Sequence, residues 1–393
     1  MRALVVGYGR SGKAAEALLR AQGTEVVVLA DDARDGLGEG RFDFAVVSPG
    51  IALTHPWIAE TRRRGIPLKS ELQLGCEELR RKGWRLLAVT GSKGKSSVVK
   101  LVAEALDGVP CGNYGLPVCE VAQSDNPSWA VVEVSSFMME TTELPADAFE
   151  AAAILNLQED HLDRHGSVEV YHGLKRKLLT MAKVGMTEED AVPLLRRKES
   201  RFSALWEGSY FDNEILAGNA AVAVLLMRAA GLDDGRVAKA FRDFEPLPHR
   251  MNLIAETGGV RYIDDSKATS LAALDAGVRM ASSSRSYPSV RLIAGGLPKG
   301  DDPKAVLSTL TERVKKVYLI GQSAEAFSSA WKDTVDCEIC GTLERAVEGA
   351  RREAETGETV ILSPGTASFD QFRSFGERGE VFARLVKRER QSK

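Results

Sequence analysis

Leu87-Ala88-Val89-Thr90-Gly91-Ser92-Lys93-Gly94-Lys95-Ser96-Ser97-Val98-Val99 reads as a short apolar strand, a glycine-bearing loop and the start of a helix rich in Val, Leu and Ala. Small residues let backbone N–H groups curl around phosphate oxygens, and the helix that follows turns its positive end toward them. Lys95 adds a mobile positive charge, and the Ser96 hydroxyl is placed to ligate Mg2+. Val89 stands where the first glycine of the G-x-x-x-x-G-K-[ST] pattern belongs. Gly91, Ser92, Lys93, Gly94, Lys95, Ser96 and Ser97 are therefore the candidate phosphate loop, with a plain strand-to-helix turn as the competing reading.

Outward from this loop the chain alternates strands and helices. Before it, strands are expected at Ala3–Gly7, Glu25–Leu29 and Phe44–Ser48, with a helix over Lys13–Ala21. After it, strands are expected at Trp129–Val134, Ala151–Leu157, Val260–Ile263, Val290–Ala294, Val317–Ile320 and Thr359–Leu362. This spacing implies parallel βαβ units. A fresh strand from Trp84 and the Pro246-Leu247-Pro248 punctuation divide the chain into three α/β modules, 1–83, 84–246 and 247–393. The expected fold is a Rossmann-like N-terminal domain, a P-loop ATPase-like central domain and a Rossmann-like C-terminal domain.

Composition narrows the function classes. The chain has 393 residues, of which 44% are hydrophobic, a net charge of −3 and interleaved charges, which leaves no electrostatic footprint for nucleic acid. No apolar run approaches the ~20 residues that cross a bilayer. Met1-Arg2 leads straight into a strand without a signal peptide, so a cytoplasmic location is expected. The five cysteines form no paired framework, and Cys337-x-x-Cys340 lacks the second pair of a zinc site.

Two further constellations carry chemistry. Gly7-Tyr8-Gly9-Arg10-Ser11-Gly12 follows the first strand, with Asp31 and Asp32 one βα unit later. NAD or another nucleotide diphosphate suits that helix end equally. Two nucleotide-type loops in one chain favour a nucleotide-linked substrate at the first and ATP at the second. In the central module Glu133 and the run Asn156-Leu157-Gln158-Glu159-Asp160-His161 end successive strands. Strands of an open α/β sheet deliver those ends to the ligand crevice, so Glu133 is a natural Mg2+ ligand and His161 a metal or substrate group.

Gly94-Lys95-Ser96, Glu133-Val134-Ser135-Ser136-Phe137 and Glu159-Asp160-His161-Leu162-Asp163-Arg164 resemble the Mur ligases, which use ATP to add amino acids to UDP-linked peptidoglycan precursors. The resemblance continues through Val47-Ser48-Pro49-Gly50-Ile51, Gly112-Asn113-Tyr114-Gly115, His249-Arg250, Asp265-Ser266-Lys267-Ala268-Thr269 and Leu362-Ser363-Pro364-Gly365-Thr366-Ala367-Ser368-Phe369-Asp370-Gln371-Phe372. These segments point to the branch that joins D-glutamate to UDP-N-acetylmuramoyl-L-alanine. The signature of the diaminopimelate-adding relative is absent.

The resemblance assigns Ser11 and Asp31 to the uridine end, with Ala30 standing where the acid often sits. It gives Ser48 and Asn113 to the muramoyl-diphosphate portion, and Lys95 and Ser96 to ATP phosphates and Mg2+. Glu133, His161 and Lys175 complete the metal shell. Lys175, with Lys177 as a neighbouring candidate, matches a lysine carbamylated in the family. Asn219, Arg250 and Asp265 would hold ATP, and Lys267, Thr269, Lys299, Ser368 and Phe375 would shape the D-glutamate pocket. A monomer that closes its three modules over the site is expected.

The departures lie on the ATP side. Ser92-Lys93 replaces Thr-Asn, Ile215-Leu216 replaces His-Asn before Asn219, Leu297 stands where Asp is common, and the Lys175–Asn219 segment is short. They motivate a competing reading, a precursor-binding relative without turnover. A dehydrogenase built on the first module leaves the Gly94-Lys95-Ser96 loop without a task.

Overall fold

The computed structural model describes residues 1–30, 37–191, 202–282 and 288–388. Strands β1 (Arg2–Val6), β2 (Glu25–Leu29), β3 (Phe44–Val47) and β4 (Leu68–Ser70) form a parallel sheet in the order β2-β1-β3-β4. Successive side chains of a strand leave on opposite faces. Accordingly Ala3 and Val5 pack with Leu18 and Leu19 on one side, while Leu4 and Val6 pack with Trp57 and Ile58 on the other. Burial on both faces explains why these strands read as continuous apolar runs.

The central sheet holds β5 (Arg85–Thr90), β6 (Val109–Gly112), β7 (Trp129–Glu133), β8 (Phe149–Ile154) and β9 (Ala182–Thr187) in the order β6-β7-β5-β8-β9, all parallel. β5 lies between β7 and β8, so the loops leaving all three open at one end of the sheet. This is the switch point at which open α/β sheets bind ligands.

The third sheet holds β10 (Asn252–Thr257), β11 (Val260–Asp264), β12 (Val290–Gly295), β13 (Val314–Ile320), β14 (Asp336–Gly341) and β15 (Thr359–Leu362), ordered β10-β11-β15-β12-β13-β14. Its pairs are parallel except β10 with β11. That hairpin turns at Gly258 and Gly259, whose φ of 60° and 74° suit a two-residue turn that β-carbon-bearing residues resist.

The chain forms two compact units, residues 1–212 with 216–244, and residues 213–215 with 245–393. Within the first unit the packing runs on past Gly83. Leu72, Cys76 and Leu79 of the helix Glu71–Arg81 share one core with Cys111, Val118, Cys119 and Met138 of the central module. Strands β4, β6, β9, β10 and β14 escape the sequence reading because each is short, or polar, or broken by Pro or Gly. β14 carries Cys337 and Cys340. Their odd spacing sends Cys337 to one face of the sheet and Cys340 to the other, so they share neither a metal nor a disulfide. Among the described residues no helix is long and apolar enough to cross a membrane.

The junction between the first two modules contains a buried carboxyl. Glu71 Oε1 accepts a hydrogen bond from Cys119 N at 2.6 Å. Burial raises its pKa to about 7, against the opposing pull of the Cys119 and Val118 backbone donors. The folded protein therefore holds a proton that the unfolded chain releases above its lower ordinary pKa. Stability should fall as pH rises from about 4.5 to 7, by about 3 kcal/mol. Glu71→Gln keeps an acceptor for Cys119 N without the charge. It should flatten that slope and stabilise the protein in urea at pH 8 but not at pH 4.5; identical slopes for both proteins would contradict the assignment.

Candidate active site

The loop after β5 bends through Gly91 (φ 148°) and Gly94 (φ 82°) before the helix Lys95–Ala105. Besides this left-handed φ, a Cβ on Gly94 would meet the Asn219 side-chain amide and force it to shift. Asn219, in the first turn of the helix Ala217–Ala229, therefore sits against the phosphate loop. Its Oδ1 accepts from Asn156 Nδ2 at 3.2 Å.

Asn156 secures the loop from the end of β8. Its carbonyl accepts from Ser92 N at 2.8 Å, its Oδ1 from Lys93 N at 2.8 Å, and its Nδ2 donates to Lys93 O at 3.0 Å. Ser92 Oγ accepts from Gln158 N at 2.9 Å and lies 3.2 Å from the Tyr171 hydroxyl. Asn156, Gln158 and Tyr171 are missed by sequence reasoning. A polar residue at a strand end carries no periodic signal, and its partners lie more than 60 residues away.

Two lysine side chains meet at this loop. Lys95 Nζ donates to Gly91 O at 2.8 Å and to Ser92 O at 3.1 Å. Lys175 Nζ donates to the same Gly91 O at 2.9 Å and lies 4.6 Å from the centre of the Tyr171 ring. Lys175 is almost wholly buried. Desolvation, then repulsion from Lys95, lower its pKa to about 7, against the attraction of Asp160 and Glu133. At neutral pH much of it is a free amine. Lys177, by contrast, points outward to Glu143 at 2.6 Å.

Glu133 ends β7, buried to 2% exposure. Its Oε1 accepts from Asn113 Nδ2 at 2.7 Å, while Oε2 is buried with no hydrogen-bond partner. An unpartnered buried carboxylate oxygen is costly unless something fills its lone pairs. A divalent cation does so. Among the described residues no three His, Cys, Asp or Glu side chains gather tightly enough to hold an ion alone. Mg2+ is such a cation, since it keeps waters and takes one or two protein oxygens plus phosphates. Ser96 and Glu133 fit that role.

His161 has a left-handed backbone (φ 54°) and is half exposed, with its ring 4.9 Å from Phe137. Such a conformation in a non-glycine residue is sparsely populated and concentrates at functional sites.

At the N-terminal module, Ser11 lies in the first turn of the helix Arg10–Ala21. Ser48 Oγ donates to Gly7 O at 2.8 Å, and a Cβ on Gly12 would strike the same carbonyl. Ser48 thus holds the Gly7 turn from beneath, and Asn113 touches Glu133. Asp31 lies outside the described residues.

The second unit gathers its own set. His249 (φ 61°) and Met251 (φ 54°) flank Arg250 in left-handed conformations. His249 is anchored by Asp264, Nδ1 to Oδ2 2.7 Å, in space kept open by Gly379. Asp265 is buried, its carboxylate taking a hydrogen bond from Ser363 Oγ at 2.8 Å, and burial raises its pKa to about 7. Lys267 Nζ lies 4.0 Å from the centre of the Phe375 ring. Its pKa is lowered by burial, then by Arg250 and Lys299, so three cations crowd one region. Thr269 is half-buried beside them in sequence and Ser368 is buried. Arg378, fully buried, donates to Ser266 O and Thr366 O at 2.9 and 3.2 Å, fixing the loops that carry Lys267 and Ser368.

Comparison with known proteins fits this arrangement. Residues 89–198 match the Mur ligase middle domain, and residues 249–365 match the Mur ligase glutamate ligase domain. UDP-N-acetylmuramate-alanine ligase MurC from Thermotoga maritima superposes with a TM-score of 0.58 at 16% identity, covering 100% of both chains. The MurF ligase of the same organism, solved with ADP, gives 0.58 at 16%, covering 88% of this chain and 96% of its own. The fold is that of a Mur ligase.

Sequence relatives are more specific. UDP-N-acetylmuramoylalanine–D-glutamate ligase of Nitratidesulfovibrio vulgaris is 35% identical, covering 98% of this chain and 95% of its own. The Aquifex aeolicus protein of that name is 34% identical, covering 98% of each. The chain belongs to this family of Mur ligases. The first of these alignments spans 424 positions against the 393 residues here, so the relative carries residues this chain lacks.

Proposed function

We propose that this chain joins D-glutamate to UDP-N-acetylmuramoyl-L-alanine with ATP, through an acyl phosphate. The observation that carries the reading is the meeting of Lys95 and Lys175 at Gly91 O, beside a strand-end Glu133 with an unpartnered oxygen. A carboxylate resists amines because oxide is a poor leaving group. Transfer of the γ-phosphoryl group to it supplies a good one, and the amine of D-glutamate then displaces phosphate. Little covalent chemistry falls to the protein, which positions the groups and neutralises charge.

Lys95 and the loop N–H groups would hold the β- and γ-phosphates. Ser96, Glu133, His161 and a carbamylated Lys175 would hold Mg2+, which supplies charge neutralisation on the transferred group. Asn219, Arg250 and Asp265 are assigned to the nucleotide, Asp265 by fixing the Arg250 turn from inside. Ser11, Asp31, Ser48 and Asn113 are assigned to the precursor. Lys267, Lys299, Thr269, Ser368 and Phe375 would take the two carboxylates of D-glutamate, a ligand whose charge relieves the crowding of Arg250, Lys267 and Lys299. The enzyme would act as a monomer in the cytoplasm.

The test is phosphate release from ATP, Mg2+ and UDP-N-acetylmuramoyl-L-alanine, with and without D-glutamate. Release that requires D-glutamate supports the ligase; tight precursor binding without release supports the non-catalytic reading drawn from Ile215 and Leu216. Lys267→Met should raise the KM for D-glutamate on the order of 10- to 100-fold while leaving ATP affinity intact. An unchanged KM would remove Lys267 from the pocket.

A further inference from the structure

Arg164 is absorbed by none of the roles above, yet it touches three parts of the site. It follows His161 in the short helix Leu162–His165 of the central module. Its Nε donates to Glu140 Oε1 at 3.0 Å and its Nη2 to Glu140 Oε2 at 2.6 Å, a two-pronged ion pair. The Glu140 side chain is only 9% exposed and that of Arg164 15%. The same Nη2 donates to Ile51 O at 2.8 Å and Pro49 O at 3.4 Å, more than 110 residues away in the N-terminal module. The guanidinium also lies 5.0 Å from the centre of the Phe137 ring, which packs against both His161 and His165.

Pro49 and Ile51 follow Ser48, which fixes the Gly7 turn, and Phe137 follows Glu133. One rigid, planar cation thus ties the Ser48–Ile51 loop to the turn bearing His161 and to the short helix Ser136–Met139 that follows Glu133. We propose that Arg164, braced by Glu140, is a positioning residue that sets the bound UDP-linked precursor in register with the phosphoryl-transfer groups. The inference rests on the ligase reading above and adds to it a specific device for aligning the acceptor carboxylate. Arginine suits the task because its fork holds a carboxylate on one edge while a remaining N–H reaches a carbonyl; a lysine is a single point charge.

Arg164→Met alone leaves the buried Glu140 carboxylate without its guanidinium, with His165 at 3.4 Å, and an unpaired buried charge destabilises a fold. The Arg164→Met, Glu140→Gln double variant removes that unpaired charge and keeps the protein testable. With the full-length protein, KM and kcat are measured for UDP-N-acetylmuramoyl-L-alanine and ATP, alongside calorimetric binding of the precursor without ATP. The double variant should melt near the wild type, raise the precursor KM on the order of 10- to 100-fold and leave the ATP KM in place. Arg164→Lys should fall between the two. Wild-type precursor KM in the double variant overturns the proposal, as does an equal loss for both substrates. Absence of D-glutamate-dependent turnover in the wild type would instead sink the ligase reading, and calorimetry of the precursor would still judge Arg164.

Discussion

Lys95→Ala should lose turnover by on the order of 10³-fold or more while binding UDP-N-acetylmuramoyl-L-alanine as the wild type does. Lys95 Nζ now bonds two loop carbonyls, Gly91 O and Ser92 O, which places its charge inside the curve of the phosphate loop. An incoming triphosphate exchanges those neutral acceptors for anionic oxygens, a stronger class of hydrogen bond. Alanine keeps the loop, since Gly91, Gly94 and Asn156 set its path, but strips the charge that follows the γ-phosphoryl group. The precursor contacts assigned to Ser48 and Asn113 lie on other elements. Rates and calorimetric precursor affinity measured on one preparation give the check. Retained turnover would mean that this loop does not hold the reacting phosphates.

The second large effect belongs to Lys175. Burial and Lys95 hold its pKa at about 7, so the amine is free above that pH and charged below it. A free buried amine adds to carbon dioxide, forming an N–C bond and releasing one proton. The product carbamate is anionic, which turns repulsion from Lys95 into attraction and offers hard oxygens suited to Mg2+. Activity should therefore fall as pH drops through 7, fall in buffer stripped of carbon dioxide, and return with bicarbonate. Lys175→Met should lose on the order of 10²- to 10³-fold and ignore bicarbonate. A 13C signal from labelled bicarbonate should appear on the wild type and not on the variant. A wild type indifferent to bicarbonate, with no such signal, would leave Lys175 a plain ammonium.

Much of this was legible in the residue order. The apolar strands β1, β5, β7, β12 and β15 announce themselves because parallel strands buried on both faces read as unbroken Val, Leu, Ile and Ala runs. Gly91, Gly94 and Lys95 stood out because the chemistry needs those types at that spacing. What stayed hidden depends on distant contacts. Short strands such as Val109–Gly112 take their conformation from neighbours, here β7, rather than from their own Val-Pro-Cys-Gly. Asn156 and Tyr171 support the loop across separations no local pattern encodes. Ser48 and Asn113 also hold their surroundings, Ser48 through Gly7 O and Asn113 through Glu133, by contacts that no local pattern encodes. Glu71, buried at the junction of two modules, carries no local sign of that burial.

In the proposed reaction one carboxylate of the precursor takes a phosphoryl group before it meets the amine. With 18O in the L-alanyl carboxylate of UDP-N-acetylmuramoyl-L-alanine, turnover with ATP and D-glutamate should place one labelled oxygen in the phosphate released, read by mass spectrometry. Amide product accompanied by unlabelled phosphate would contradict it.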